Sequence, residues 1–197
     1  MKHGRSAFGF SLILLALTGS CGPGSDPLSH TGVCGAYPTY TTSSYKLPYA
    51  TGTSREVGQG NCSGISHFGD YRYAYDFTMD IGTAVHAARA GTVIELQESY
   101  SDGNGCPNAN FVKIRHSDGT VGEYLHLTKN GVIVNVNDTI TQGQHIGNSG
   151  NTGCSTAGHL HFQVVESSTS NESVPVTFSN TSSNPRGLQS GSSYTAN

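Results

Sequence analysis

Charge is scarce in this sequence. Asp, Glu, Lys and Arg supply only 12% of its residues, too few for the solvated faces of a helical bundle or coiled coil. Basic residues are not in excess either. The net charge of −3 excludes a strongly basic nucleic-acid binder, and no nucleic-acid partner is expected. There is no internal repeat of fixed period and no C-x-x-C pair of the kind a Cys-rich metal site needs. Beyond the N-terminal region, no apolar run is long enough to cross a bilayer.

Glycine and histidine are abundant instead. The 197 residues include 26 glycines, with frequent Ser, Thr, Asn and Tyr, a profile of short strands joined by tight turns. The length suits one compact domain plus tails. Nine histidines stand against ten Lys plus Arg, a ratio that asks for an explanation, because histidine is the commonest metal ligand and the proton carrier nearest neutral pH.

The N-terminus reads as an export signal over residues 1–20. Lys2 and Arg5 precede an apolar run at residues 7–17, too short for a permanent span and right for a signal. Two outcomes are expected: cleavage after a small residue, giving a soluble protein, or acylation of Cys21 as a lipoprotein anchor. The lipoprotein is placed slightly ahead, although Thr18 departs from the Leu usual in such a site. The expected location is the periplasm or cell envelope, or the medium. Without Lys2 and Arg5, eight basic residues face thirteen acidic ones, so no anionic partner is implied. Cys34, Cys62, Cys106 and Cys154 remain, an even set that reads as two disulfides with three possible pairings. Cys34–Cys62 with Cys106–Cys154 is preferred.

Residues 21–45 lack hydrophobic periodicity and read as a linker or loosely pinned arm. An all-β domain follows over residues 46–180. Strands are expected at 74–79, 91–96, 110–116, 121–127, 132–136, 159–165 and 174–178. The Asp118-Gly119 pair marks a hairpin between the third and fourth of these. The Ser/Gly-rich tail, residues 181–197, is expected to fray.

The chemistry concentrates in a few places. In His159-Leu160-His161 both imidazoles project to one face of a strand, and two buried histidines there are costly unless used. The bland alternative is a pair of core histidines bonded to backbone. By the same alternation Leu125 and Leu127 face the core, and His126 turns away with Tyr124. Asp76 lies between Tyr75 and Phe77, where a carboxylate wants a cation or a metal. His67 precedes it in a glycine-containing loop. Two or three His with one Asp is zinc chemistry; a catalytic zinc keeps an open position and brings the pKa of water to about 7. Spare histidines take a proton or stabilise an oxyanion. There is no H-E-x-x-H helix motif.

Three segments carry a resemblance: DFTMDIGTAVHAARAGTV at 76–93, EYLHL at 123–127 and GQHIGNSGNTGCSTAGHLHF at 143–162. They resemble the lysostaphin/LytM-type zinc metallopeptidases over residues 47–165. The resemblance implies antiparallel sheets with a narrow active-site groove, the duplicated hybrid motif of that fold. It implies one Zn²⁺ per chain and hydrolysis of peptide bonds in peptidoglycan cross-links or stem peptides. Carried over by residue, Asp76 and His161 become metal ligands, and His126 and His159 the catalytic pair. The usual ligand four residues before the Asp is here Arg72, which cannot ligate a cation. His67 takes that place, as in relatives with a longer spacing. His86 is read as a surface residue, His116 as locally hydrogen-bonded, and His145 as bland; His30 lies in the arm and His3 in the signal. Residues 150–153 form either a cleft wall that lets a substrate backbone approach or a simple tight turn. Two other readings are weighed: a silent domain of this fold that binds cell wall or activates other hydrolases, and an exported β-sandwich with a closed structural zinc. The chain is expected to be a monomer.

Overall fold

The computed structural model describes residues 35–197. The signal segment, Cys21, Cys34 and the first part of the arm lie outside the described residues. Within them the only helical pieces are two 3-10 turns, Tyr40–Thr42 and Gly69–Tyr71. The regular structure is otherwise eleven strands: β1 (Ser54–Gln59), β2 (Tyr75–Thr78), β3 (Ala84–His86), β4 (Gly91–Gln97), β5 (Phe111–Arg115), β6 (Val121–Leu125), β7 (Leu127–Val132), β8 (Thr139–Ile140), β9 (His145–Ser149), β10 (His159–Val165) and β11 (Ser193–Thr195). An eight-stranded sheet runs β11-β1-β2-β10-β6-β5-β4-β8, and a three-stranded sheet runs β3-β9-β7. Every pairing of these strands is antiparallel.

β10 shows how the sequence builds the sheet. Leu160, Phe162 and Val164 alternate into the hydrophobic core. There they meet Tyr75 and Phe77 of β2, Tyr124 of β6 and Val112 and Ile114 of β5. His159, His161 and Gln163 therefore fall on the opposite face. Phe178 seals the core from outside the ladder, with its ring 5.4 Å from Tyr75, 6.3 Å from Phe77 and 6.1 Å from Phe162. Each such aromatic contributes about 1.5–3 kcal/mol of burial energy. The Asp118-Gly119 hairpin joins β5 and β6 as expected, with Arg115 opposite Val121.

Four expectations are corrected. The segment 121–127 is not one strand: β6 stops at Leu125, and His126 has φ +65°. That left-handed residue breaks the pleat, so Tyr124 is the core residue and Leu125 lies on the other face. Residues 133–136 are outside any strand; β7 ends at Val132, and Ile133 and Val136 are about half exposed. Residues 174–178 form no ladder, although Val176 and Phe178 are buried. The tail does not fray. Leu188, Tyr194 and Ala196 are buried, and β11 pairs with β1 through Ser54 and Thr195. Gly187, at φ +71°, lets the chain pass the Tyr75 hydroxyl, where a Cβ would come within 2.4 Å. At the other end, Tyr37 packs edge-on against Tyr73 and Tyr45 is buried, so the described part of the arm is fastened to the body.

Cys106 and Cys154 form a disulfide. Cys62 is disulfide-bonded, and Cys34, its expected partner, lies outside the described residues.

Candidate metal centre

The centre is assembled from the loop after β1, from β2 and from β10. Asp76 and His161 are cross-strand partners, which places their side chains together on one face. His161 Nδ1 lies 2.9 Å from Asp76 Oδ1. His67 reaches the same oxygen from the loop, with its Nε2 3.2 Å away. One ligand atom from each of His67, Asp76 and His161 lies within 4.8 Å of the others. The expected ligand set is thus brought to one point, His67 included. Arg72, in the position usual for the first ligand, is exposed at the end of the Gly69–Tyr71 turn.

The donor chemistry fits a cation. His67 Nδ1–H donates to the Gly60 carbonyl at 2.9 Å, so a neutral ring turns its Nε2 lone pair toward a carboxylate oxygen. His67 Nε2 and His161 Nε2 are both buried and have no hydrogen-bond partner. Such orphaned atoms cost about 1–3 kcal/mol each unless something uses them. Burial alone would push the Asp76 carboxyl up. The contacts with His161 and His67 overcome this and hold it far below the usual carboxylate range.

His126 and His159 stand beside the centre, with ring centroids 4.6 Å apart. His159 Nε2 is 3.7 Å from Asp76 Oδ1. Its Nδ1 lies 2.9 Å from the Ala157 carbonyl and 3.1 Å from Ser155 Oγ. His126 Nδ1–H donates to the Thr152 carbonyl at 2.6 Å. In each ring the Nδ1 contact leaves Nε2 as the free nitrogen. Burial, reinforced by His159 and His161, lowers the His126 pKa to about 4, so the ring is neutral at pH 7.

The segment 150–153 is braced, beginning with a bridge between Gly150 and His159. Asp102 accepts the Asn151 N–H and the Thr128 hydroxyl, each at 2.6 Å. Thr152 Oγ1 accepts from Asn110 N–H and donates to the Leu127 carbonyl. A Cβ on Gly150 would lie 2.4 Å from Thr128 N, so only glycine fits there. Tyr71, about half exposed, sets its ring edge-on to His161 at 5.8 Å. Neither Tyr71 nor Asp102 carries a periodic signal in the sequence, since Tyr71 ends a single 3-10 turn and Asp102 lies in a loop. The other histidines stay apart. His86 stacks on His145 at 5.5 Å. His116 is buried and locally hydrogen-bonded as expected, its N–H donating to the Thr120 carbonyl and its carbonyl accepting from Gly119 N–H, while its Nδ1–H donates to the Ala90 carbonyl at 2.9 Å.

Residues 70–174 match the model of peptidase family M23. The chain belongs to that family. It is similar to lysostaphin of Staphylococcus simulans, 41% identical over 107 residues that make up 54% of this chain and 20% of lysostaphin. It is also similar to the peptidoglycan DD-endopeptidase ShyA of Vibrio cholerae, 37% identical over 90 residues, 46% of this chain and 19% of ShyA. The chain therefore spans about a fifth of the length of these curated relatives. Among solved structures, the catalytic domain of the prophage-encoded M23 protein EnpA from Enterococcus faecalis shares the fold, with a TM-score of 0.52 at 22% identity, covering 66% of this chain and 93% of that one. The M23 match takes in Asp76, His126, His159 and His161; His67 lies three residues before its start.

Proposed function

We propose that this M23 chain is an exported zinc metalloendopeptidase that hydrolyses peptide bonds in peptidoglycan cross-links or stem peptides. The observation that carries the reading is the convergence of His67, Asp76 and His161 beside the paired rings of His126 and His159. The names of its relatives, a lysostaphin and a peptidoglycan endopeptidase, support the substrate class. A single zinc held by His67, Asp76 and His161 would supply Lewis-acid chemistry, polarising a peptide carbonyl and acidifying water. The chain's own groups do the rest. Thr152 and Ala157 hold the Nδ1 sides of His126 and His159, leaving two Nε2 atoms free to receive the proton of an attacking water and to stabilise an oxyanion. Export rests on the charge and apolar pattern of residues 1–20.

The test is cell-wall hydrolysis by the purified protein in a zymogram, with and without a chelator. Clearing is expected, and is expected to vanish with chelation and in His161→Ala. Hydrolysis that persists in His161→Ala, or a wild-type protein that binds no zinc, would refute the reading. A protein that binds cell wall and stimulates other hydrolases without cutting would favour the silent-domain alternative.

A further inference from the structure

The face that carries His161 continues across the large sheet. Cross-strand partners run Asp76, His161, Leu125, Phe111 and Gln97 in one row, and directly paired residues share a face. Leu125, Phe111 and Gln97 each keep part of their surface in solvent, so the row is a floor rather than a core. Strands lie about 4.8 Å apart, which puts Gln97 roughly 14 Å from His161, the reach of about four residues of extended peptide.

A cavity of about 340 Å³ opens at that end, lined by Glu95, Gln97, Tyr100, Pro107, Asn108 and Phe111 among others. Its outer wall is preformed. Asn104 accepts the Gly153 N–H, and Cys106 is bonded to Cys154, so the wall is tied to the same segment that holds His126.

The adjacent row on this face is polar: Gln163, Glu123, Lys113 and Glu95. Lys113 Nζ is 3.2 Å from Glu123 and 3.3 Å from Glu95. One ammonium between two carboxylates leaves a net negative charge. The Glu95 side chain is 56% exposed against 10% for Glu123, so that charge meets solvent at Glu95, on the cavity. At the inner end of the row, Gln163 is 1% exposed and its Oε1 has no partner. Gln163 Nε2 donates to Glu123 Oε2 at 2.7 Å, so Glu123 is satisfied within the row, and the strip ends in one exposed carboxylate, Glu95, in a cavity that Tyr100 and Phe111 also line. Lys113 Nζ already stands over the Phe111 ring, 5.3 Å from its centroid, so a second primary ammonium on an aliphatic stem would pair with the solvent side of Glu95 and meet the Tyr100 ring that lines the same cavity.

We propose that this cavity is a distal substrate subsite. It takes an ammonium-bearing residue of the peptide about four residues from the bond that is cut, with Glu95 as counter-ion. This rests on the peptidase reading above, and deepens it by naming a feature of the substrate.

The test uses the full chain, chelator-treated so that nothing is cut, and short fluorescent peptides that carry lysine or acetyl-lysine at one end or the other. Binding is read by anisotropy. At one end, the lysine peptide is expected to bind about two- to fivefold more tightly than its acetylated counterpart, the range of an exposed ion pair. Added salt is expected to shrink that difference. Glu95→Gln is expected to abolish it while leaving the acetylated peptide's affinity unchanged. Equal affinity for lysine and acetyl-lysine peptides, or equal weakening of both by Glu95→Gln, would overturn the subsite. Hydrolysis by the zinc-loaded protein is measured in parallel. A protein that discriminates the ammonium but cuts no peptide would remove the peptidase reading and leave the binding site standing.

Discussion

Asp76 sits where three imidazoles approach it, with His67, His159 and His161 nitrogens 2.9–3.7 Å from its Oδ1. The contacts with His161 and His67 keep its carboxyl ionised, and a cation shared among the donors would balance the lone pairs that face one another there. His67 is the member of this group that departs from the common family spacing. His67→Ala is expected to lower zinc affinity by at least about 100-fold, more than is usual for losing a group that merely orients a ligand. His86→Ala, in the stacked pair away from the centre, is expected to retain it. Metal content after dialysis distinguishes them, and a His67→Ala protein that keeps its zinc would remove His67 from the ligand set. His126 depends on backbone geometry instead. Its φ of +65° takes it out of the strand alternation, which would have sent it the same way as the core residue Tyr124.

At the scale of elements, the break between β6 and β7 has to be held open. The loop before β5 does this. Asp102 ties Thr128 to Asn151, and Asn110, fully buried, donates to the Leu127 carbonyl and to Thr152 Oγ1. Thr128 lies two residues after His126, and Asn151 precedes the Thr152 whose carbonyl accepts the His126 Nδ1–H, so the brace sets where the ring points. Asp102→Asn keeps the shape but replaces one acceptor with a donor. It is expected to reduce kcat roughly 10- to 100-fold, in line with small misplacements of catalytic groups, with KM and zinc content nearly unchanged. Steady-state kinetics on a soluble peptide would show this; a rise in KM alone, or loss of metal, would mean that Asp102 acts elsewhere. The strands themselves were legible where alternation was strong. His159–Val165 and the Asp118-Gly119 hairpin came straight from pattern. β9 and β11 did not, because their short, Gly- or Ser-bearing sequences carry little apolar periodicity and are held by partners distant in the chain.

For the whole molecule, the C-terminal tail is part of the core. Leu188 is buried, Tyr194 Oη accepts the Gln189 N–H, and Tyr49 Oη donates to the Tyr194 carbonyl. Leu188→Ala is expected to destabilise the fold by about 2–5 kcal/mol, the usual cost of such a core truncation. Urea unfolding would measure it, and a loss below about 0.5 kcal/mol, typical of a surface site, would show that the tail contributes nothing. The Ser- and Gly-rich composition of this tail suggested fraying because composition records average polarity. A few apolar residues such as Leu188 and Tyr194 decide the outcome when a complementary surface exists, and that surface is formed by residues far earlier in the chain.

The sequence alone determined the class of fold, the placement of His159 and His161 on one strand face, and the stock of imidazole and carboxylate from which a zinc site could be made. These follow from local periodicity and residue chemistry. Only the tertiary structure decided which of those groups meet. His161 and Asp76 are 85 residues apart, and their contact depends on the register of β2 against β10. His67 arrives by way of an irregular loop, and His126 by its own left-handed backbone, its ring held by the Thr152 carbonyl. Register, loop path and backbone sign are set by packing among distant segments, and no local pattern encodes them.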